Sequence, residues 1–212
     1  MKFRSIAVEG PIGVGKTSFV KLLAKRFEAF TVFEEVDNPF LKKFYEDQQG
    51  AAFQAQLVFL LSRYRQLQDL TQRDLFHQIT LMDYIFPKDK IFAYLNLDDS
   101  ELLIYDKLYA LLEEQVPKPD LVIFLQAETR ALVDRIRGRN RDYEREISET
   151  YVNEVNKAYN YFFFHYTQTP LLVIDTTEID FVHQEEHLDE LVEQIRKMEH
   201  GVQYYRPLGS SA

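Results

Sequence analysis

Along the chain, short apolar runs alternate with longer stretches in which apolar residues return every three or four positions. FRSIAV at 3–8 alternates and carries β-branched residues, which predicts a short buried strand. TSFVKLLAKRF at 17–27 then places Phe19, Val20, Leu22, Leu23 and Phe27 at helical spacing. TVFEEV at 31–36 reads as a second strand, and Asn38-Pro39 is a helix-start signal. A helical pattern free of Gly and Pro runs from 51 to 73, and HQITLMDY at 77–84 predicts a third strand ending at Asp83. Helices follow over 88–95 and 99–115, and PKPD breaks the pattern. LVIFLQA at 121–127 is the unbroken apolar run of a strand covered on both faces. Helices over 130–138 and 147–167, a fifth strand at 170–175 and a last helix over 187–198 complete the pattern. The final stretch, 201–212, has weak periodicity and is expected to be a mobile tail.

Strands that alternate with helices predict an α/β fold in which a five-stranded parallel sheet carries helices on both faces. Neither a repeat nor a linker-like composition interrupts residues 1–200, so one domain is expected there.

The first strand runs directly into EGPIGVGKTS at 9–18. Gly10, Gly15, Lys16 and Thr17 satisfy G-x-x-x-x-G-K-[ST] between a predicted strand and a predicted helix. Gly10, Gly13 and Gly15 let backbone N–H groups, including that of Ser18, converge on phosphate oxygens, and the helix N-terminus adds partial positive charge. Lys16 is placed to reach the β/γ-phosphates and the Thr17 hydroxyl to ligate Mg²⁺. The loop therefore predicts binding of a nucleoside triphosphate, ATP, with Mg²⁺.

Composition narrows what such a loop serves. The 212 residues carry a net charge of −9, which argues against a protein that coats nucleic acid. Five arginines nevertheless fall within eleven residues of RIRGRNRDYER, a cluster suited to a small anion. Cysteine is absent, which suits a reducing compartment. The SIAV run after MKFR is too short for a signal peptide and no run approaches a membrane span, so a cytoplasmic location without membrane contact is expected. A GTPase switch would need D-x-x-G together with N-K-x-D, and N-K-x-D does not occur. A motor ATPase would end an apolar strand in an acidic pair, which LVIFLQAE does not. Glu34 and Glu35 instead close the second strand, on the sheet edge shared with the phosphate loop, where a carboxylate can take the proton of an attacking hydroxyl.

The glycine loop, FEEVDNPFL, QLVFLLSRYRQL, DYIFPKDKIFA and the arginine cluster follow one another in an order that resembles the deoxynucleoside kinases, most nearly the bacterial deoxyadenosine/deoxyguanosine kinases. The resemblance covers nearly the whole chain. It implies the phosphate-loop kinase fold with strand order 2-3-1-4-5 and an arginine-rich lid. The implied activity is transfer of the ATP γ-phosphoryl group to the 5′-hydroxyl of a deoxynucleoside, a purine favoured, in nucleotide salvage. A homodimer is implied as well. By the same resemblance, Glu34 is the general base and helps hold the metal, with Glu35 in reserve because the family's E-P-V reads Glu34-Glu35-Val36 here. Gln56 reads the base edge, and Arg63 either locks it or neutralises the basic carboxylate. The two lie seven residues apart, roughly 20° from one helical face, whereas Gln54 falls nearly opposite Arg63.

Tyr45 resembles the family tyrosine at the deoxyribose 3′-hydroxyl, and Asp89 the aspartate at the base. Asp83 stands with the acceptor and the outer shell of Mg²⁺. The family's D/E-R-S reads Asp83-Tyr84-Ile85, so its arginine is missing, with Lys88 and Lys90 the two available replacements. Arg135, Arg139 and Arg141 reproduce the lid spacing around the triphosphate, and Glu144 faces the 3′-hydroxyl. Glu178 and Phe181, in VIDTTEIDF, lie in the loop over which the family lays adenine.

Two other kinds of function compete with this reading. A thymidylate-type monophosphate kinase needs arginines between 40 and 90 for a second phosphate, and only Arg63, Arg65 and Arg73 occur there. A nucleotide-binding module would bind ATP without acceptor chemistry. HQEEH at 183–187 matches a zinc-protease string, but it stands in a charged helix without a further ligand cluster.

Overall fold

The computed structural model describes residues 2–207 except 36, 47, 49, 74–78 and 140–146, and side chains at all of these except 45, 71–73 and 139. The chain order is β1 (Ser5–Glu9), α1 (Lys16–Phe27), β2 (Phe30–Val32), α2 (Leu41–Tyr45), α3 (Ala51–Arg73), β3 (Thr80–Met82), α4 (Lys88–Asn96), α5 (Asp99–Glu113), β4 (Leu121–Gln126), α6 (Thr129–Arg139), α7 (Glu149–Phe164), β5 (Leu171–Asp175), α8 (Glu185–Lys197) and β6 (Val202–Tyr205). The strands form one parallel sheet in the order β2-β3-β1-β4-β5-β6.

The unbroken apolar run of β4 resolves into two faces, as a period of two requires. Leu121, Ile123 and Leu125 pack with Ile6 and Val8 of β1 against α1, α6 and α8. Val122 and Phe124 pack with Ala7 against α3, α4, α5 and α7. Phe124 stacks on Phe163 of α7 at 4.2 Å between ring centroids. In α8, Leu188, Leu191, Val192 and Ile195 form the buried i, i+3, i+4, i+7 stripe of an amphipathic helix. The start of α5 is fixed by a capping box: Asp98 accepts from the N–H groups of Ser100 and Glu101, and Glu101 returns to the Asp98 N–H.

Two expectations need correction. The sheet has six strands, because residues 202–205 leave the expected tail and pair with β5, Leu171 to Val202 and Ile174 to Tyr205. Backbone bonding recruits this edge strand, with Tyr205 at its end packing on the core and donating to Glu190 Oε2 at 3.1 Å. Val202, Gln203 and Tyr204 are exposed, so no alternation of buried residues marks it in the sequence. The second strand ends at Val32 rather than 36, leaving Glu34 and Glu35 in the connection that follows, on the same edge as the phosphate loop.

Candidate active site

Three connections meet at the carboxyl edge of the sheet: β1–α1, β2–α2 and β3–α4. They enclose a cavity of about 290 Å³ whose lining includes Gly13, Gly15, Lys16, Thr17, Ser18, Glu34, Gln56, Arg63, Asp83 and Lys88.

The phosphate loop has no room for larger residues where it turns. Gly10 has φ 153, and a Cβ there would stand 2.3 Å from the Leu125 carbonyl oxygen of β4. Gly13 has φ 87, and a Cβ would meet the Leu132 carbonyl oxygen and Ile136 Cγ1 of α6 at 2.8 Å. Both positions therefore demand glycine on conformational and steric grounds. The loop is thereby pressed between the sheet and the helix that leads into the arginine cluster. Lys16 Nζ spans the loop and donates to the Gly10 carbonyl at 2.6 Å and to that of Pro11 at 3.2 Å. Burial, with the nearby Lys88 ammonium, pushes Lys16 down to about 8. A bound triphosphate favours the ammonium form. ATP binding at pH 8 should therefore take up about half a proton. Calorimetry in two buffers of different ionisation enthalpy would measure it, and zero uptake would contradict the placement.

Thr17 Oγ1 donates to Asp83 Oδ2 at 2.8 Å, and Asp83 Oδ1 accepts from the Glu34 N–H at 2.7 Å. The end of β3 thus fixes both the first turn of α1 and the backbone of Glu34. A hydroxyl and a carboxylate oxygen side by side are hard donors that fit Mg²⁺.

Glu34 is bracketed by cations. Its Oε1 accepts from Arg63 Nε at 3.0 Å and also from Arg63 Nη2, and its Oε2 accepts from Lys88 Nζ at 2.6 Å. Burial works against the charge, but Lys88 and Arg63 outweigh it and hold the carboxyl well below the usual carboxylate range. The expected metal role of Glu34 stands beside this geometry. The Glu34 oxygens face two cations, and Asp83 is the carboxylate beside Thr17. Glu35 is exposed and accepts from Ser62 Oγ at 3.0 Å.

Arg63 also pairs with Asp89 Oδ2, and Gln56 Nε2 donates to the Asp89 carbonyl at 2.9 Å and to Asp89 Oδ1. Tyr105 OH donates to the same Oδ1 at 3.0 Å. Gln56, Arg63 and Asp89, separated by 33 positions in the chain, thus form one buried polar group at the cavity wall. Asp89 is an acceptor on both its carbonyl and its carboxylate, so it fixes the Gln56 amide nitrogen toward itself and turns the Gln56 carbonyl oxygen away from it. Phe33, Leu41, Phe44, Ala52, Ala55, Phe59 and Phe92 supply the apolar wall.

Other expected site residues lie elsewhere. Arg135 donates to Thr176 Oγ1 at 3.2 Å and to the Thr176 carbonyl at 2.6 Å, tying α6 to the loop after β5. Phe181 is buried against Phe19 and beneath Gly15, so it packs the base of the phosphate loop instead of offering a face to adenine. Glu178 is exposed on the same loop. The side chains of Tyr45 and Arg139, and residues Arg141 and Glu144 entirely, lie outside the described residues. The two histidines of HQEEH part company: His183 Nδ1 meets Asp180 Oδ2 at 2.7 Å, and His187 Nδ1 accepts the Asp180 N–H at 3.2 Å.

One site residue escapes sequence reasoning, and the structure decides a second. Glu9, fully buried, accepts the Gly10 N–H at 2.9 Å and the Ile85 N–H at 3.0 Å, joining the phosphate loop to the β3–α4 connection. The signal was available, since a carboxylate at the end of a buried strand needs partners. Lys88 was one of two open choices. Lys90 lies over the Tyr109 ring at 4.2 Å, so the cation that reaches the site is Lys88.

Comparison with known proteins agrees with this arrangement. Residues 6–200 match the family model described as deoxynucleoside kinase. The deoxyguanosine kinase of Bacillus subtilis is 38% identical over 73% of this chain and 75% of its own length. The deoxyadenosine/deoxycytidine kinase of the same organism is 31% identical over 92% of this chain and 93% of its own. Among solved structures, deoxyadenosine kinase from M. mycoides with bound dATP superposes with a TM-score of 0.77 at 24% identity, covering 90% of this chain and 98% of that one. With a phosphate loop, an ion-paired carboxylate facing it and a family match over nearly its whole length, the chain belongs to the deoxynucleoside kinases.

Proposed function

We propose that this protein transfers the γ-phosphoryl group of ATP to the 5′-hydroxyl of a deoxynucleoside, with deoxyadenosine or deoxyguanosine favoured. The observation that carries the reading is the single cavity whose wall holds Glu34 beside the phosphate-loop residues and, next to it, Gln56 and Arg63, both fixed from behind by the buried Asp89. One end of that space is built for phosphate and the other for a flat, hydrogen-bonding ring. The names of the Bacillus subtilis relatives support a deoxynucleoside acceptor, and purines recur among them.

In this reading the deoxynucleoside base lies among Phe33, Phe44, Phe59 and Phe92, with Gln56 turned to its edge and Arg63 and Asp89 fixing Gln56. The 5′-hydroxyl then meets Glu34, which is ionised before the substrate arrives and accepts the proton as the bond to phosphorus forms. A weakly basic carboxylate suits a loose transition state, in which the nucleophile holds its proton until late. Gly10, Gly13, Gly15, Lys16, Thr17 and Ser18 hold the triphosphate. Thr17 and Asp83 would hold Mg²⁺, which supplies charge neutralisation on the phosphates when bound. Arg139 and Arg141 close over the transferred group, Tyr45 and Glu144 take the 3′-hydroxyl, and Arg135 anchors the lid helix to the adenine loop through Thr176. The kinase unit is one domain whose C-terminal limit lies beyond β6.

The test is ADP release from Mg²⁺-ATP with each of the four deoxynucleosides and each of their monophosphates. A purine deoxynucleoside should give the highest kcat/KM. Activity with a monophosphate alone would move the acceptor to the thymidylate-kinase type, and silence throughout would leave a nucleotide-binding module.

The same reading places the enzyme in the cytoplasm. Among the described residues, no helix is long and apolar enough to cross a membrane. It also includes a homodimer. Ile104, Leu108 and Leu111 form an exposed stripe on α5, beside Leu103. Solvent exposure of four large apolar side chains on one helix favours a covering partner. Light scattering should return twice the mass of the 25.2 kDa chain, and the mass of one chain would refute the dimer.

A further inference from the structure

We infer that Lys88 is a catalytic residue that touches the attacking oxygen, an inference that rests on Glu34 as proton acceptor. The argument is an inventory of lone pairs. Glu34 Oε1 already accepts two N–H groups of Arg63, at Nε and Nη2, and a carboxylate oxygen has two good acceptor sites. Among the described residues Oε2 accepts only one, from Lys88 Nζ at 2.6 Å. The remaining site on Glu34 is therefore on Oε2. A hydroxyl that donates there lies beside the Lys88 ammonium, because both groups share one oxygen.

The position of Lys88 is built rather than accidental. It opens α4, its N–H donates to the Ile85 carbonyl at 3.2 Å, and the Ile85 N–H is held by Glu9 Oε1. Its side chain is 6% exposed, lies on the cavity wall and reaches Glu34 past Phe92. The residue after Asp83 contributes no charge to this corner. Tyr84 is fully buried and its hydroxyl donates to Gln66 Oε1 at 2.9 Å, away from Glu34. Arg63, the other cation on Glu34, is shared with Asp89. Lys88 has no second carboxylate within ion-pair distance among the described residues, so its charge is free to follow the reaction.

In the transfer, the 5′-oxygen forms a bond to the γ-phosphorus, the bond from that phosphorus to the β,γ-bridging oxygen breaks, and ADP leaves with the electron pair. The 5′ proton passes to Glu34 Oε2. Protonation neutralises Glu34, and the Lys88 ammonium, losing its anion, turns to the equatorial oxygens of the incoming phosphoryl group. Its interaction thus strengthens as the reaction proceeds, which is what raises a rate.

The experiment compares Lys88→Met, Lys88→Arg, Lys88→Ala and Glu34→Gln in the full chain, reading kcat by ADP release and deoxynucleoside Kd by calorimetry. Lys88→Met should lower kcat about 10²- to 10³-fold while Kd changes less than about fivefold. Lys88→Arg should recover to within about tenfold of the parent, and methylammonium should restore Lys88→Ala saturably. Parental kcat in Lys88→Met, or loss confined to Kd, would overturn the proposal. So would an arginine variant no better than methionine combined with no amine rescue, since that pattern belongs to packing. If Lys88→Met is unimpaired while Glu34→Gln is, only the role of Lys88 falls; if Glu34→Gln turns over normally, the acceptor reading itself falls.

Discussion

Glu34→Gln is expected to lower kcat by roughly 10²- to 10⁴-fold while leaving ATP affinity within about twofold. The carboxamide keeps the shape of the carboxylate but has one acceptor end. Arg63 presents two donors to one side and Lys88 one to the other. The amide oxygen will satisfy Arg63, so the NH₂ group must face Lys88 and the 5′-hydroxyl. It meets donors on both and can accept no proton. In the proposed reading ATP is held by the glycine loop and Lys16 and not by the Glu34 side chain, so the loss should fall on turnover. A second signature follows from the lowered carboxyl of the parent. Its group is held ionised well below the usual carboxylate range, so Glu34 contributes no acidic limb to kcat/KM above about pH 5. A limb between pH 5 and 6.5 that vanished in Glu34→Gln would contradict the cation bracket. Near-parental turnover in the variant would shift the base to Glu35.

The second large effect concerns stability. Arg63→Met should destabilise the fold by about 3–5 kcal/mol, because it strands a buried carboxylate. Arg63 is shared between Glu34 and Asp89, and the Asp89 side chain is wholly inaccessible. Methionine fills a similar volume, so the cost is electrostatic and not that of a cavity. For a chain of this length, it corresponds to a fall in Tm of about 6–20 °C. Asp89→Asn retains an oxygen for Gln56 and Tyr105 but removes the stranded charge. The double variant Arg63→Met/Asp89→Asn should therefore lie well above the sum of the single losses. Thermal unfolding of the four proteins measures the coupling, and strict additivity would show that the pair is not an energetic unit.

Much of this site was legible because its residues follow from local rules. The strand–glycine–helix order locates the phosphate loop, and seven-residue spacing on a long helix puts Gln56 and Arg63 on one face. The two-faced β4 run locates the sheet centre. What was not legible depends on contacts between distant segments. Nothing near Lys88 in sequence distinguishes it from Lys90, and only the turn into α4 aims one at Glu34 and the other over Tyr109. Phe181 was expected at adenine because of its loop, but burial against Phe19 follows from how that loop returns under α1. Strand β6 left no trace because an exposed edge strand needs no apolar alternation. Asp83, rather than Glu34, bonds Thr17 for a similar reason, since the two cations that claim Glu34 come from α3 and α4.

The measurement that tests the central claim most directly is phosphorus NMR of a reaction of Mg²⁺-ATP with deoxyadenosine and, separately, deoxyguanosine. The account predicts a new monoester resonance split into a triplet by the two 5′ protons, growing in step with ADP. A doublet from a 3′-ester, or inorganic phosphate as the only new species beside ADP, would contradict it.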